Sequence, residues 1–148
     1  MMKNQLRTLL EDDEGLKNEV YNDHLGKATC GIGHLITRDD PEFGLCVGDP
    51  VSEERVTELF NEDVQTAIDD ALNLQPELES WPVEAQITFV SLAFQLGGPR
   101  LRLFVKMNAA LENQHWMTAA IQLRDSRLYR QTPERTERHA KRIEGILS

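Results

Sequence analysis

EGLKNEVYNDHLGKATCGIGH, residues 14–34, is the stretch from which the rest of this chain can be read. It opens on a carboxylate, Glu14, at a predicted helix end. It then alternates through Glu19, Val20, Tyr21, Asn22 and Asp23, turns at Leu25-Gly26 and returns through Thr29 to Gly31-Ile32-Gly33-His34. Eight residues separate Glu14 from Asp23 and five separate Asp23 from Thr29. A helix stopping at Gly15, followed by a short hairpin, brings two carboxylates and a hydroxyl to one side of a hollow. Two carboxylates flanking a bond, with a group that can hold water, are the equipment for hydrolysing a glycosidic linkage. Residue by residue, plainer readings remain open: Glu14 as a helix-end surface charge, Asp23 as a turn residue and Thr29 as a strand filler.

Upstream, residues 3–14 read as a short helix with Leu6, Leu9 and Leu10 on one face and Gly15 as its stop. Val20 to Gly33 reads as a small hairpin or three-stranded sheet. Thr37 to Pro50 is punctuated by Pro41, Gly44, Gly48 and Pro50 and reads as loop. Ser52 then caps a long helix running to about Asn73. Its apolar stripe is Val56, Leu59, Phe60, Val64, Ala67, Ile68, Ala71 and Leu72, spaced three and four apart. Pro82 starts another helix and Gly97 ends it; its run from Ile87 to Leu96 is apolar nearly all round, as in the centre of a core. Leu101–Leu111, Trp116–Leu123 and Pro133–Leu147 read as three further helices. The expected fold is α+β in a single domain of residues 1–148. It divides into a sheet lobe of about 15–52, a linking helix of about 52–73, and a helical lobe of about 74–148 joined by the N-terminal helix.

Composition narrows the function. With 40% hydrophobic and 28% charged residues the chain is an ordinary globular one. Its longest apolar stretch is interrupted by Thr88, Ser91 and Gln95, so no membrane span and no stable membrane association are expected. The acidic run Glu11–Glu14 leaves no room for a signal-peptide core near the start. Two cysteines, Cys30 and Cys46, make no disulfide framework, and the four His show no metal-ligand spacing, so no metal is expected. Residues 1–73 carry 6 Lys and Arg against 17 Asp and Glu, and residues 74–148 carry 10 against 8, giving a net charge of −9. Nucleic acid is a poor partner for such a chain.

The run EG…Y-x-D-x-x-G-x-x-T-x-GIGH resembles the phage-type lysozymes, the endolysins of glycoside hydrolase family 24. The resemblance extends to GIGHLIT at 31–37, ELFNEDV at 58–64, FQLG at 94–97 and SRLYRQTPERTERHAKR at 126–142. It implies a lysozyme-like fold with a small hairpin lobe and a larger helical one. It further implies an N-acetylmuramidase that cuts the β-1,4 bond between N-acetylmuramic acid and N-acetylglucosamine with inversion, without a cofactor. By motif match Glu14 is the general acid, Asp23 stabilises developing positive charge and helps activate water, and Thr29 holds that water. Leu35 and Phe94 match substrate-binding positions; Arg135, Gln95 and Tyr129 match supporting ones; His34 and Asp63 match a structural pair. Three positions depart from the family: Leu128 replaces a Trp, and Met107 and Gln122 replace polar residues.

The implied partner is peptidoglycan, met by a monomer in the course of phage lysis. The enzyme is expected to stay in the host cytoplasm until a separate pore protein releases it to the wall. Two other readings keep the same fold: a lytic transglycosylase, against which Asp23 and Thr29 argue, and a wall-binding module without turnover. The charge makes a prediction of its own. Peptidoglycan is largely anionic, and exposed charges more than ~10 Å apart are screened at 0.1 M salt. A basic enzyme slows as salt removes its steering. On purified peptidoglycan the rate of this chain should stay flat or rise between low salt and about 0.2 M sodium chloride. A steep monotonic fall would instead assign the encounter to the late arginines, Arg124 to Arg142.

Overall fold

The computed structural model describes residues 3–146, among which hydrophobic periodicity and glycine stops set most of the element boundaries. Helix α1 (Lys3–Glu14) buries Leu6 and Leu10 completely, four residues apart on one face. It ends at Gly15, whose φ of +80° turns the chain out of the helix while its N–H closes the last turn on the Glu11 carbonyl at 2.8 Å.

Strands β1 (Lys17–Asn22), β2 (Ala28–Gly31) and β3 (His34–Leu35) form one antiparallel sheet in chain order. Tyr21 lies opposite Thr29, and Thr29 opposite Leu35. Directly opposed residues share a face, so these three side chains form one row across the sheet. The following segment is loop, as expected, but its end returns along β1. Val20 N–H donates to the Asp49 carbonyl at 2.9 Å, Gly48 N–H to Val20 at 2.8 Å, and Val51 N–H to Asn18 at 2.8 Å. The loop thus occupies the backbone groups that an edge strand otherwise leaves open.

Helix α2 (Glu53–Leu74) starts where the Ser52 hydroxyl accepts the Arg55 N–H at 3.1 Å, with Glu53 and Glu54 in the turn that the helix dipole favours for anions. Its stripe from Val56 to Ala71 is buried. The chain divides into two compact units: residues 7–65, and the described part of residues 1–6 with 66–148. The boundaries fall inside α1 and α2.

In the second unit, α3 (Val83–Leu96) is the core: every residue from Ala85 to Ala93 is buried. Trp81 meets Phe89 and Trp116 edge-on, with ring centroids 5.6 and 5.8 Å apart, the geometry that aromatic quadrupoles favour. The single helix predicted over Leu101–Leu111 is in fact two, α4 (Gly98–Arg102) and α5 (Val105–Glu112), broken at Leu103-Phe104. The Asn108 side chain makes the break possible. Its Nδ2 donates to the Leu101 and Phe104 carbonyls, both at 3.0 Å, which supplies partners where the ladder is interrupted.

After α6 (Trp116–Arg124) comes a short helix that periodicity does not announce, α7 (Arg127–Gln131). The Ser126 hydroxyl caps it by accepting the Tyr129 N–H at 3.2 Å. Helix α8 (Pro133–Glu144) packs on α3, α6 and α7; its predicted end, Leu147, lies outside the described residues. The fold is α+β, mostly helical with one small sheet. Among the described residues no helix is long and apolar enough to cross a membrane.

Candidate active site

Glu14, Asp23 and Thr29 all belong to the unit of residues 7–65. Glu14 is the last residue of α1, and its side chain lies over the tight turn between β2 and β3. A Cβ built on Gly33 would stand 2.8 Å from Glu14 Oε2 and 3.1 Å from its Cβ and Cδ.

Asp23 follows β1 directly and organises the turn to β2. Its Oδ1 accepts the Leu25 N–H at 2.9 Å and the Lys27 N–H at 2.8 Å. The Lys27 bond, opposed by partial desolvation and aided by the Leu25 bond, holds the carboxyl below the usual range. Asp23 is therefore ionised at neutral pH. Both backbone bonds fall on Oδ1, which leaves Oδ2 for other partners.

Thr29, only 4% exposed, donates its hydroxyl proton to the Lys27 carbonyl at 2.9 Å. A hydroxyl has one proton to give, so toward anything else Thr29 Oγ1 acts as an acceptor. Asp23 Oδ2 and Thr29 Oγ1 are therefore both acceptors toward any further partner.

Sequence reasoning quoted Tyr21 but gave it no role. It is the cross-strand partner of Thr29, and Lys17 Nζ stands 4.6 Å from its ring centroid. Burial, then the charges of Glu14, Cys30 and Asp23, raise its phenol pKa, so the ring sits in the field of both carboxylates. Alternation two residues before Asp23 was the available signal. Cys30 is no nucleophile: burial, then Glu42 and Asp40, push its thiol up to about 11. Leu35 completes the row beside Thr29 and is 47% exposed.

His34 and Asp63 meet, with Nδ1 donating to Asp63 Oδ2 at 2.6 Å. The motif did not indicate a second partner: Nε2 donates to Asp40 Oδ2 at 2.8 Å. The same Asp40 oxygen accepts the Thr37 N–H at 2.8 Å, which fixes the start of the loop. Burial pulls the His34 pKa down, but the bonds to Asp63 and Asp40 and their charges outweigh it and push the value up to about 9. The ring is thus an imidazolium donating from both nitrogens. Beyond it Arg55 lies 3.7 Å from Asp40 and grips Glu42, which is only 7% exposed, through Nε and Nη2 at 3.0 and 3.1 Å.

The remaining predicted residues belong to the other unit. Phe94 and Gln95 are half-buried near the end of α3, and Gln95 Oε1 is buried without a hydrogen-bond partner among the described residues. Arg135 is half-buried in the first turn of α8. Tyr129 on α7 donates its hydroxyl to Glu137 at 3.1 Å, and Glu137 is gripped by Arg124 at 2.9 and 3.0 Å. The three departures come together: Met107, Gln122 and Leu128 line one groove of about 630 Å³, with Leu103, Phe104 and Arg127. Among the described residues no group of three or more His, Cys, Asp or Glu is placed to hold a metal ion.

Comparison with known proteins gives concordant matches. The family profile described as phage lysozyme matches residues 11–137. A probable T4-type lysozyme 2 of Dictyostelium discoideum is 31% identical, over 93% of this chain and 92% of its own length. A probable T4-type lysozyme 1 of the same organism is 28% identical over 99% and 98%. The peptidoglycan hydrolase gp36 of Pseudomonas phage phiKMV is 28% identical over 93% of this chain, which is only 15% of that protein.

The His34 bonds set a pH dependence. The His34 pKa is higher in the folded than in the unfolded chain. Its stabilisation is therefore complete below about 6.5 and lost as pH rises through about 9. The Asp40 pKa is lowered, so its share is present above its ordinary value of 3.8 and lost as pH falls through its lower folded one. His34→Gln should therefore be destabilising by up to about 3 kcal/mol near pH 6, with the deficit shrinking toward pH 10. Urea melts of both proteins across that range test it. A deficit that does not change with pH would show that the ring is not held as an imidazolium.

Proposed function

The chain belongs to the phage lysozyme family and is a glycoside hydrolase of cell-wall type, and from that premise we propose its reaction. It cuts the β-1,4 bond between N-acetylmuramic acid and N-acetylglucosamine in peptidoglycan, with inversion at the muramic acid C1. Glu14 gives its proton to the departing glycosidic oxygen. Asp23, kept ionised by the Lys27 and Leu25 amides, faces the positive charge that grows on the sugar. Water held between Asp23 and Thr29 attacks from the opposite side of the ring, and Asp23 takes its proton as the new bond forms.

The observation that carries this reading is the direction of the Thr29 hydroxyl. Its proton is committed to the Lys27 carbonyl. A water against Thr29 must therefore donate to it, and Asp23 is the neighbouring base. This arrangement suits direct attack by water. A transglycosylase, which closes an anhydro ring, has no use for it.

Leu35, exposed beside Thr29, contacts the sugar chain in this proposal. The enzyme works as a monomer in phage lysis and reaches the wall through a pore made by another protein. The name of the phiKMV relative, a peptidoglycan hydrolase, supports the substrate.

Glu14→Gln keeps the shape of the side chain and removes its acidity. Turnover of purified peptidoglycan should fall by roughly 10²–10⁴, the usual worth of general-acid catalysis, while the melting temperature holds or rises. Activity within about tenfold of the parent would remove Glu14 from the role.

A further inference from the structure

Gly33 sits where its chemistry matters more than a turn requires. The turn alone asks for a residue at φ +64°, a conformation that side chains other than Asn and Asp rarely adopt. The second demand is spatial. A methyl group at this position would meet three atoms of one side chain, Glu14: Oε2 at 2.8 Å, and Cβ and Cδ at 3.1 Å. Turning the carboxyl about its Cγ–Cδ bond relieves only the first contact. The stem must move as well, and its Cβ is fixed to the last turn of α1. The bare backbone of Gly33 is therefore a floor on which the whole Glu14 side chain rests.

We propose that Gly33 is a positioning residue for the acid, setting where the Glu14 carboxyl stands relative to the scissile oxygen. This rests on the assignment of Glu14 as general acid. A free glutamate samples many rotamers, and fixing a long side chain costs entropy. Close contact with the Gly33 backbone narrows that choice in the folded chain. A misplacement of about 1 Å in a catalytic group can lower the rate 10²-fold. One added methyl thus acts on the reaction through Glu14 without touching substrate.

The test compares glycines of the same backbone class. Gly44 also has positive φ, +90°, with nothing within 4 Å of a built Cβ, and it takes no part in the site. Gly44→Ala therefore reports backbone strain alone. With soluble peptidoglycan strands, Gly33→Ala should lower kcat at least tenfold below Gly44→Ala, with KM changed less than about threefold. Gly33→Asn, which accepts the left-handed backbone but keeps a Cβ, should fold well and show the same kcat loss; it serves if the alanine variant folds poorly.

A double-mutant cycle supplies the readout that a structural role would not move. Glu14→Asp shortens the side chain and takes the carboxyl away from where an added methyl meets Oε2 and Cδ, leaving only the contact at Cβ. In that background Gly33→Ala should cost less than about threefold further in kcat. Equal losses in both backgrounds, or a kcat for Gly33→Ala and Gly33→Asn within about twofold of Gly44→Ala, would overturn the proposal. If Glu14→Gln is inactive while the Gly33 variants are fully active, the acid assignment stands and the positioning role falls. If Glu14→Gln is active, the acid assignment itself falls.

Discussion

An imidazolium between two carboxylates joins three segments of residues 7–65: β3 through His34, the loop through Asp40, and α2 through Asp63. The chain of charge continues from Asp40 to Arg55 and from Arg55 to Glu42 and Glu58, with signs alternating throughout. Exposed pairs of this kind contribute little, but Glu42 is nearly buried, and removing one partner of a buried pair typically costs 3–5 kcal/mol. The sheet is too small to bury much of its own surface. Its third strand has two residues. The ionic chain adds to the small apolar core of Val20, Ile32, Val56, Phe60 and Val64, and within it His34 and Arg55 separate carboxylates that would otherwise repel.

The site sits on that frame as three backbone devices. A helix end presents Glu14, a turn amide pair holds Asp23 ionised, and a carbonyl takes the proton of Thr29. The Asp23 and Thr29 devices do not depend on a long flexible side chain finding its partner. The row of Tyr21, Thr29 and Leu35 follows from strand register, which a two-residue turn through Gly33 enforces. Chemistry and architecture therefore share residues. Gly33 closes the β2–β3 turn and lies under Glu14, and Asp23 both shapes the β1–β2 turn and is the proposed base.

Much of the fold was legible because local rules sufficed. Gly15 and Gly97 end helices, Ser52 begins one, and the α2 stripe reads directly as a buried face. What escaped left no periodic signal. The break at Leu103-Phe104 is made by the side chain of Asn108, and α7 is a single capped turn too short for periodicity to register. Of the site, the motif named Glu14, Asp23, Thr29 and the His34–Asp63 pair. It could not show Asp40 as the second partner of His34, nor Arg55 on buried Glu42, since both pairs are closed by the path of an irregular loop and are ordinary in type. Nor could it show which way the Thr29 proton points, on which the account of the water rests.

That water is open to direct measurement. A brief digestion of soluble peptidoglycan strands in ¹⁸O-water, followed by proton NMR before mutarotation, reads both its origin and its direction of attack. The account predicts a new muramic acid reducing end that is first α, with one ¹⁸O at C1. A first product in the β configuration, or an unlabelled 1,6-anhydro sugar, would contradict it.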